Sequence, residues 1–240
     1  MQYVPNSSAR LMKRAQGAII GLVIPHIRLA FYGAVTRALA AACRKLSFQI
    51  MLSVTEDNPE IEQSSVRALV EARAAGIVIM PTLNCRAETM NFLKLVSTVQ
   101  IMRHQPRVSA NVVRFGDAQG IRDATEHLLS LGHLDIGFIG ASPETAAGRL
   151  RLSAFEAAVN GAGLAAQKTV YTGPTHSDFG ETATGMILDA RERPSALLVG
   201  SSEITPGVLK VIKRRRIDVP KELSILTYGD HEWLELFLRR

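Results

Sequence analysis

The sequence predicts an α/β protein built from two doubly wound parallel-sheet units. Three observations carry that reading. Short, continuous apolar runs of the kind found in buried parallel strands recur along the chain and alternate with stretches of helical spacing. The alternation pauses once, in a polar stretch near residues 105–116, and then resumes. The 240 residues fit one large or two small domains, since domains usually run from about 50 to 250 residues. Strand and helix in strict alternation imply parallel sheets with helices on both faces.

Each element has its own local reason. Ala18 to Ile24 is an unbroken apolar run, and Phe31 to Lys45 has helical spacing with strong helix formers. Phe48 to Val54 reads as a strand, and Pro59 to Ala75 as a helix with proline well placed near its start. Gly76 to Met80 is a strand stopped by Pro81, Glu88 to Val96 is helical, and Val99 to Met102 is extended. After the polar stretch from Gln105 to Asn111 come helix 117–131, strand Ile136 to Ile139 and helix 149–162. Strand 168–171, helix 179–190, strand Ala196 to Val199, helix 205–215 and strand Leu223 to Thr227 complete the series.

Composition excludes several classes. Apolar residues make up 47% and charged residues 21%, too rich in the former for a disordered chain. The longest apolar runs fall well short of the roughly 20 residues that span a bilayer. No basic segment leading into an apolar one opens the chain, so nothing marks it for export. Two cysteines, Cys43 and Cys85, are too few for a disulfide framework and suit a reducing cytoplasm.

The net charge of +6 is local. Arg10, Lys13 and Arg14 lie in a segment without acids, Lys210, Lys213 to Arg216 and Lys221 face only Asp218, and Arg239 and Arg240 end the chain. The remainder is mildly acidic, so phosphate contacts are expected only in those clusters.

In open α/β sheets, ligands sit outside the carboxyl ends of the strands. That rule points to Pro25–Tyr32, Val54–Pro59, Pro81–Cys85, Arg103–His104, Ala141–Arg151, Thr172–Ser177, Gly200–Thr205 and Tyr228–Trp233. Familiar motifs add little. The run from Gly161 to Ala166 fits GxGxxA, but it ends a helix instead of opening one, as a C-cap does. His127 and His133 flank a helix end and read as structural. Lys210 and Lys213 to Arg216 occupy the last turns of a helix, where cations suit the dipole. Neither a phosphate loop nor a zinc motif is present, so no metal, cofactor or catalytic residue is expected. Gly148-Arg149-Leu150-Arg151-Leu152 stands apart, because it opens a helix inside an expected ligand crevice. An arginine there can fork onto ligand oxygens or remain a surface residue; both readings stay open.

At these residues the chain resembles the lactose-repressor (LacI/GalR) family of bacterial transcription regulators, along almost its whole length. Tyr3 to Met12 (YVPNSSARLM) resembles the family hinge Y-x-P-N-x-x-A-R-x-L, and Ala18 to Pro25 resembles the first sensor strand. Glu126 to Ala141 (EHLLSLGHLDIGFIGA) is similar to HLxxLGHxxIxFIxG, and Gly148 to Phe155 to the AR-x-RLxGF effector segment. Arg193 to Ala196 and Val219 to Ile225 resemble RPTA and VPxDVSV.

The resemblance implies a periplasmic-binding-protein-like sensor of two α/β subdomains with a small-molecule effector (a sugar, sugar acid or similar) in the cleft between them. It implies a cytoplasmic homodimer, helices 31–45 and 59–75 supplying contacts, acting as a repressor on palindromic operator DNA. The implied boundaries are 1–16 for the hinge segment, 17–115 for the N-terminal subdomain and 116–240 for the C-terminal one. In the hinge, Met12 takes the place of the leucine that wedges into the minor groove. Ala9, Arg10, Lys13 and Arg14 would accompany it as DNA-binding residues, the basic ones on phosphates.

For the effector, Arg151 falls on the family's ligand arginine, and Phe31 and Tyr32 on its aromatic pair. Leu29 replaces the usual asparagine before that pair. Asp117 occupies an asparagine position with Gly116 before it, and Ser201 and Ser202 replace an Asn-Asp pair. Thr175 stands where a stacking aromatic is common, and Gly229-Asp230 where an acid is expected. These changes point away from a standard sugar toward a smaller or more acidic ligand, or none.

The family also places a helix-turn-helix headpiece before the hinge and closing elements after the Asp230 segment. The chain is therefore expected to be truncated at both ends, its C-terminal elements missing and its second subdomain incomplete. Operator binding is expected only with the missing headpiece. The alternative from another class is a solute-binding protein of a sugar transporter, disfavoured by the hinge and the lack of a leader. An enzyme is disfavoured because no nucleophile is paired with a base.

Overall fold

A computed structural model describes residues 18–27, 30–163 and 169–236. They divide after Phe115 into two units, each an α/β layer structure. The hinge segment, with Ala9, Arg10, Met12, Lys13 and Arg14, lies outside the described residues, as do Leu29 and the final Arg239 and Arg240.

The first unit contains β1 (Ile19–Ile24), α1 (Ala30–Lys45), β2 (Gln49–Val54), α2 (Pro59–Glu71), β3 (Gly76–Ile79), α3 (Ala87–Leu93), β4 (Thr98–Ile101) and β5 (Asn111–Val113). Its sheet is parallel throughout, in the order β2-β1-β3-β4-β5. Successive residues of β1 point to opposite faces, which splits the core in two. Val23 packs with Val66, Leu69, Ile77, Ile79 and Leu93 under α2 and α3. Leu22 and Ile24 pack with Tyr32 and Ile101 under α1. Helix α2 starts where expected because the Asn58 side chain accepts from Glu60 and Ile61 N–H. It ends at Glu71, short of the expected Ala75, where Arg73 turns into the left-handed region at φ 53°.

The expected loop at 105–116 holds one strand that periodicity missed. β5 spans three residues with an exposed–intermediate–exposed pattern, too brief and too polar for alternation to register. It pairs with β4 at the sheet edge.

The second unit contains α4 (Asp117–Ser130), β6 (Ile136–Ala141), α5 (Ala146–Gly161), β7 (Val170–Gly173), α6 (Ser177–Asp189), β8 (Ala196–Val199), α7 (Thr205–Arg215), β9 (Ser224–Thr227) and a final 3-10 turn (Glu232–Leu236). Its sheet is also parallel, in the order β7-β6-β8-β9. Phe138, Phe155, Ile121, Leu128 and Leu198 fill the face under α4 and α5. Ile139, Ile187, Leu197, Val199, Val208 and Val211 fill the face under α6 and α7. All six residues of β6 are buried, as its continuous apolar sequence requires. Helix α5 begins three residues earlier than its apolar spacing suggested, at Ala146, because the Thr145 hydroxyl caps Gly148 N–H.

Most of the basic cluster of α7 is engaged by its neighbour: Lys210 and Arg214 reach Glu181, and Arg215 forks onto Asp189. His133 meets Ser195 at 2.9 Å, a structural contact between turns. Helices α6 and α7 approach closely at Gly207, where an added Cβ would lie 1.8 Å from the Ser177 carbonyl oxygen. Gly207→Ala must therefore push the two backbones apart. We expect a loss of about 1–3 kcal/mol from overpacking. In urea unfolding the midpoint should fall while the slope is kept; an unchanged midpoint would refute the close approach.

Candidate functional site

Three side chains and one backbone carbonyl converge at the carboxyl edge of the second sheet. Arg151, in the second turn of α5, donates from Nε and Nη2 to Asp117 Oδ1 at 2.9 and 2.7 Å. Its Nη1 donates to the carbonyl of Gly200, directly after β8, at 2.9 Å. Tyr228, directly after β9, donates its phenol to the same Asp117 oxygen at 2.7 Å. The Tyr228 ring lies beneath the guanidinium, 4.3 Å from Cζ to the centroid, a cation–π arrangement. One charge pair thus links the starts of α4 and α5 to the ends of β8 and β9.

Local sequence explains the placement. Gly148 lets α5 start against the loop after β6, since a Cβ there would fall 2.1 Å from Ser142 O. That close approach sets Arg151 over the strand ends. One turn on, Phe155 stacks on Phe138 of β6 with centroids 4.9 Å apart, anchoring the helix to the sheet. Asp117 is the first residue of α4, where a carboxylate suits the helix dipole.

The pair is largely withdrawn from water, with side-chain exposures of 13% for Arg151 and 9% for Asp117. Two charges so placed persist because each satisfies the other and neighbouring donors complete the shell. Burial first, then the hydrogen bond to Asp117 and its negative charge, push the Tyr228 phenol up to about 12 against the opposing pull of Arg151.

Other expected residues divide plainly. Ser201 is buried and, with Ser202, donates to the Glu203 carboxylate, so both hydroxyls turn toward a neighbour on their own loop. Thr175 and Asp230 are exposed, in the turns after β7 and β9 respectively. In the first unit Phe31 and Tyr32 do form an aromatic group. Tyr32 is buried and meets the Phe31 ring at 5.2 Å and the His26 ring at 5.3 Å, while Phe31 meets Phe115 at 5.2 Å.

The carboxyl edge of the first sheet carries two features that sequence reasoning missed. Arg103, after β4, forks onto Asp57, after β2, at 2.5 and 3.0 Å and reaches the Pro81 carbonyl. Glu62 of α2 is fully buried and accepts from the Thr82 hydroxyl at 3.0 Å and from Thr82 N–H. Burial first, and then the Glu62 carboxylate, drive the Cys85 thiol far above its usual range, so it is no nucleophile. The strand-end rule covers Asp57, Arg103 and Thr82 but not Glu62, which lies on α2. Among the described residues, no group of three or more His, Cys, Asp or Glu could hold a metal, and no helix is long and apolar enough to cross a membrane.

Comparison with known proteins extends the picture. Residues 125–239 match the family described as periplasmic binding protein-like domain. The HTH-type transcriptional regulator DegA of Bacillus subtilis (strain 168) is 26% identical over 236 residues, covering 96% of this chain and 69% of its own. The Lac repressor dimer bound to operator and the anti-inducer ONPF superposes with a TM-score of 0.84 at 20% identity, over 98% of this chain and 83% of that one. The Cra transcriptional dual regulator of Pseudomonas putida, in complex with fructose 1-phosphate, does so at 0.77 and 22%, over 92% and 82%. The fold is thus the periplasmic-binding-protein-like one.

The Tyr228 contact gives a pH signature. Its phenol is raised from the ordinary value near 10 to about 12, so the folded chain holds this proton longer than the unfolded one. The stabilisation is complete below about pH 10 and is lost as pH climbs toward about 12. Tyr228→Phe, which removes one donor from a carboxylate, should cost about 1.5–3 kcal/mol. That gap to wild type should stay constant up to pH 10 and shrink above it. A gap that does not move between pH 9 and about 12 would show that the phenol is not raised.

Proposed function

We propose that the chain is the effector-binding domain of a LacI/GalR-type transcription regulator and that it reads a small polyhydroxylated ligand through Arg151. The observation that carries this is the Arg151–Asp117–Tyr228 cluster at the carboxyl edge of the second sheet. A guanidinium offers five N–H donors in a rigid fork. Three are engaged within the unit, on Asp117 and Gly200, which leaves two for ligand oxygens. The fork is held in place before any ligand arrives, so little ordering entropy is lost on binding. Thr175 and Asp230, being exposed, are available to complete the polar contacts, whereas Ser201 is committed to Glu203.

Regulation on this reading is a population shift. The effector stabilises one conformational state of a homodimer over another, and the hinge at residues 1–16 passes the difference to operator-binding parts of the protein. Swinging such an equilibrium from 1:99 to 99:1 takes about a 10⁴-fold preference for the favoured state. A solute-binding role for a transporter receives no support from the named relatives, which are transcription regulators.

Thermal-shift screening of pentoses, hexoses, polyols and their acids tests the reading. Binding at a hundredfold excess over Kd adds about 2.7 kcal/mol, a shift of several degrees for units of this size. At least one compound is expected to raise Tm, and Arg151→Lys, which keeps charge but loses the fork, should abolish the response. A panel without any stabilising compound, on a chain that melts cooperatively, would sink the proposal.

A further inference from the structure

We infer that Asp117 is a built-in counter-anion for Arg151 and makes this edge selective for uncharged hydroxyl-bearing effectors over phosphorylated or carboxylated ones. The inference rests on reading this edge as the effector site. An anion binds an arginine well when the guanidinium brings uncompensated charge and a free bidentate face. Here one bidentate face is spent on an internal carboxylate oxygen, at 2.7 and 2.9 Å, in a pair with side-chain exposures of 13% and 9%. The phenol of Tyr228 donates to that same oxygen and so pins the carboxylate where it is.

Of the other charged groups on these loops, the two acids add to the effect and Arg149 works against it. Arg149 is exposed and its Nη1 is engaged by the Pro143 carbonyl. Glu203 sits on the loop after β8, and Asp230, exposed, on the loop after β9. An incoming phosphate or carboxylate would meet Asp117 with the charge of Arg151 already cancelled, while Glu203 and Asp230 add negative charge to the neighbouring loops, and like charges oppose binding. A neutral hydroxyl has no such difficulty. It can accept from the two remaining guanidinium N–H groups without displacing Asp117. Aspartate at position 117, where the family resemblance leads one to expect asparagine, is the sequence trace of this device, and its pairing with Arg151 turns the expectation of a more acidic ligand toward an uncharged one.

The test compares glucose, ribose, gluconate, fructose 1-phosphate and inorganic phosphate by thermal shift and calorimetry at fixed ionic strength. Wild type should show no response to the three anions beyond that to sodium chloride. Asp117→Asn keeps an acceptor for Arg151 and Tyr228 but removes the charge. It should gain an affinity for gluconate or phosphate about tenfold or more above wild type, the scale of one charge-assisted hydrogen bond. Adding Arg151→Met should erase the gain.

An anion that stabilises wild type with Asp117 intact overturns the inference, and this arm needs no variant to fold. A folded Asp117→Asn chain with no new anion response also overturns it. If no neutral sugar moves wild type while Asp117→Asn gains an Arg151-dependent response, the counter-anion stands and the sugar-sensing reading fails.

Discussion

The second unit depends on one oxygen atom. Asp117 Oδ1 accepts two N–H donors of Arg151 and the phenol of Tyr228, and through them ties two helix starts to the end of a strand. The Arg151 link to Gly200 O adds the end of β8. Remove the carboxylate and a guanidinium only 13% exposed is left without its counter-charge, a loss of about 3–5 kcal/mol in comparable buried pairs. A site assembled from elements far apart in sequence stays rigid here because its members meet at one point.

The two units share a building plan. Each is a parallel sheet with helices on both faces, and in each an arginine pairs with an aspartate near the carboxyl edge, from loops in the first unit and from helix starts in the second. The resemblance ends at their surroundings. Arg103 and Asp57 are 27% and 35% exposed, so water weakens their attraction and the pair contributes little stability. Arg151 and Asp117 are shielded, and Tyr228 covers one face of the guanidinium. Similar chemistry is weakened by water in one unit and shielded from it in the other.

Much of this was legible without coordinates, and the reasons are local. β6 and β8 are unbroken apolar runs, and Pro59 marks a helix start because its fixed φ suits the first helical turn. GRLR announced itself because a cation in the early turns of a helix works against the dipole and invites a reason. β5 escaped because its three residues are partly exposed and carry no alternating signal. The partnership of Arg151 with Asp117 and Tyr228 also escaped. Asp117 and Tyr228 are 111 residues apart, and no spacing rule connects side chains brought together by tertiary packing. The same holds for Glu62 and Thr82, a buried pair that local pattern cannot distinguish from a solvated helix face.

The central claim is that Arg151 is held by its own protein before any effector arrives. Arginine side-chain NMR reads this directly, by following the Nε proton of Arg151 in ligand-free protein, assigned by its loss in Arg151→Lys. A proton shared with Asp117 in a shielded site should exchange with water far more slowly than the Nε protons of exposed arginines such as Arg149, and exchange should quicken in Asp117→Asn. An Arg151 Nε proton that exchanges as fast as those of exposed arginines would contradict the account.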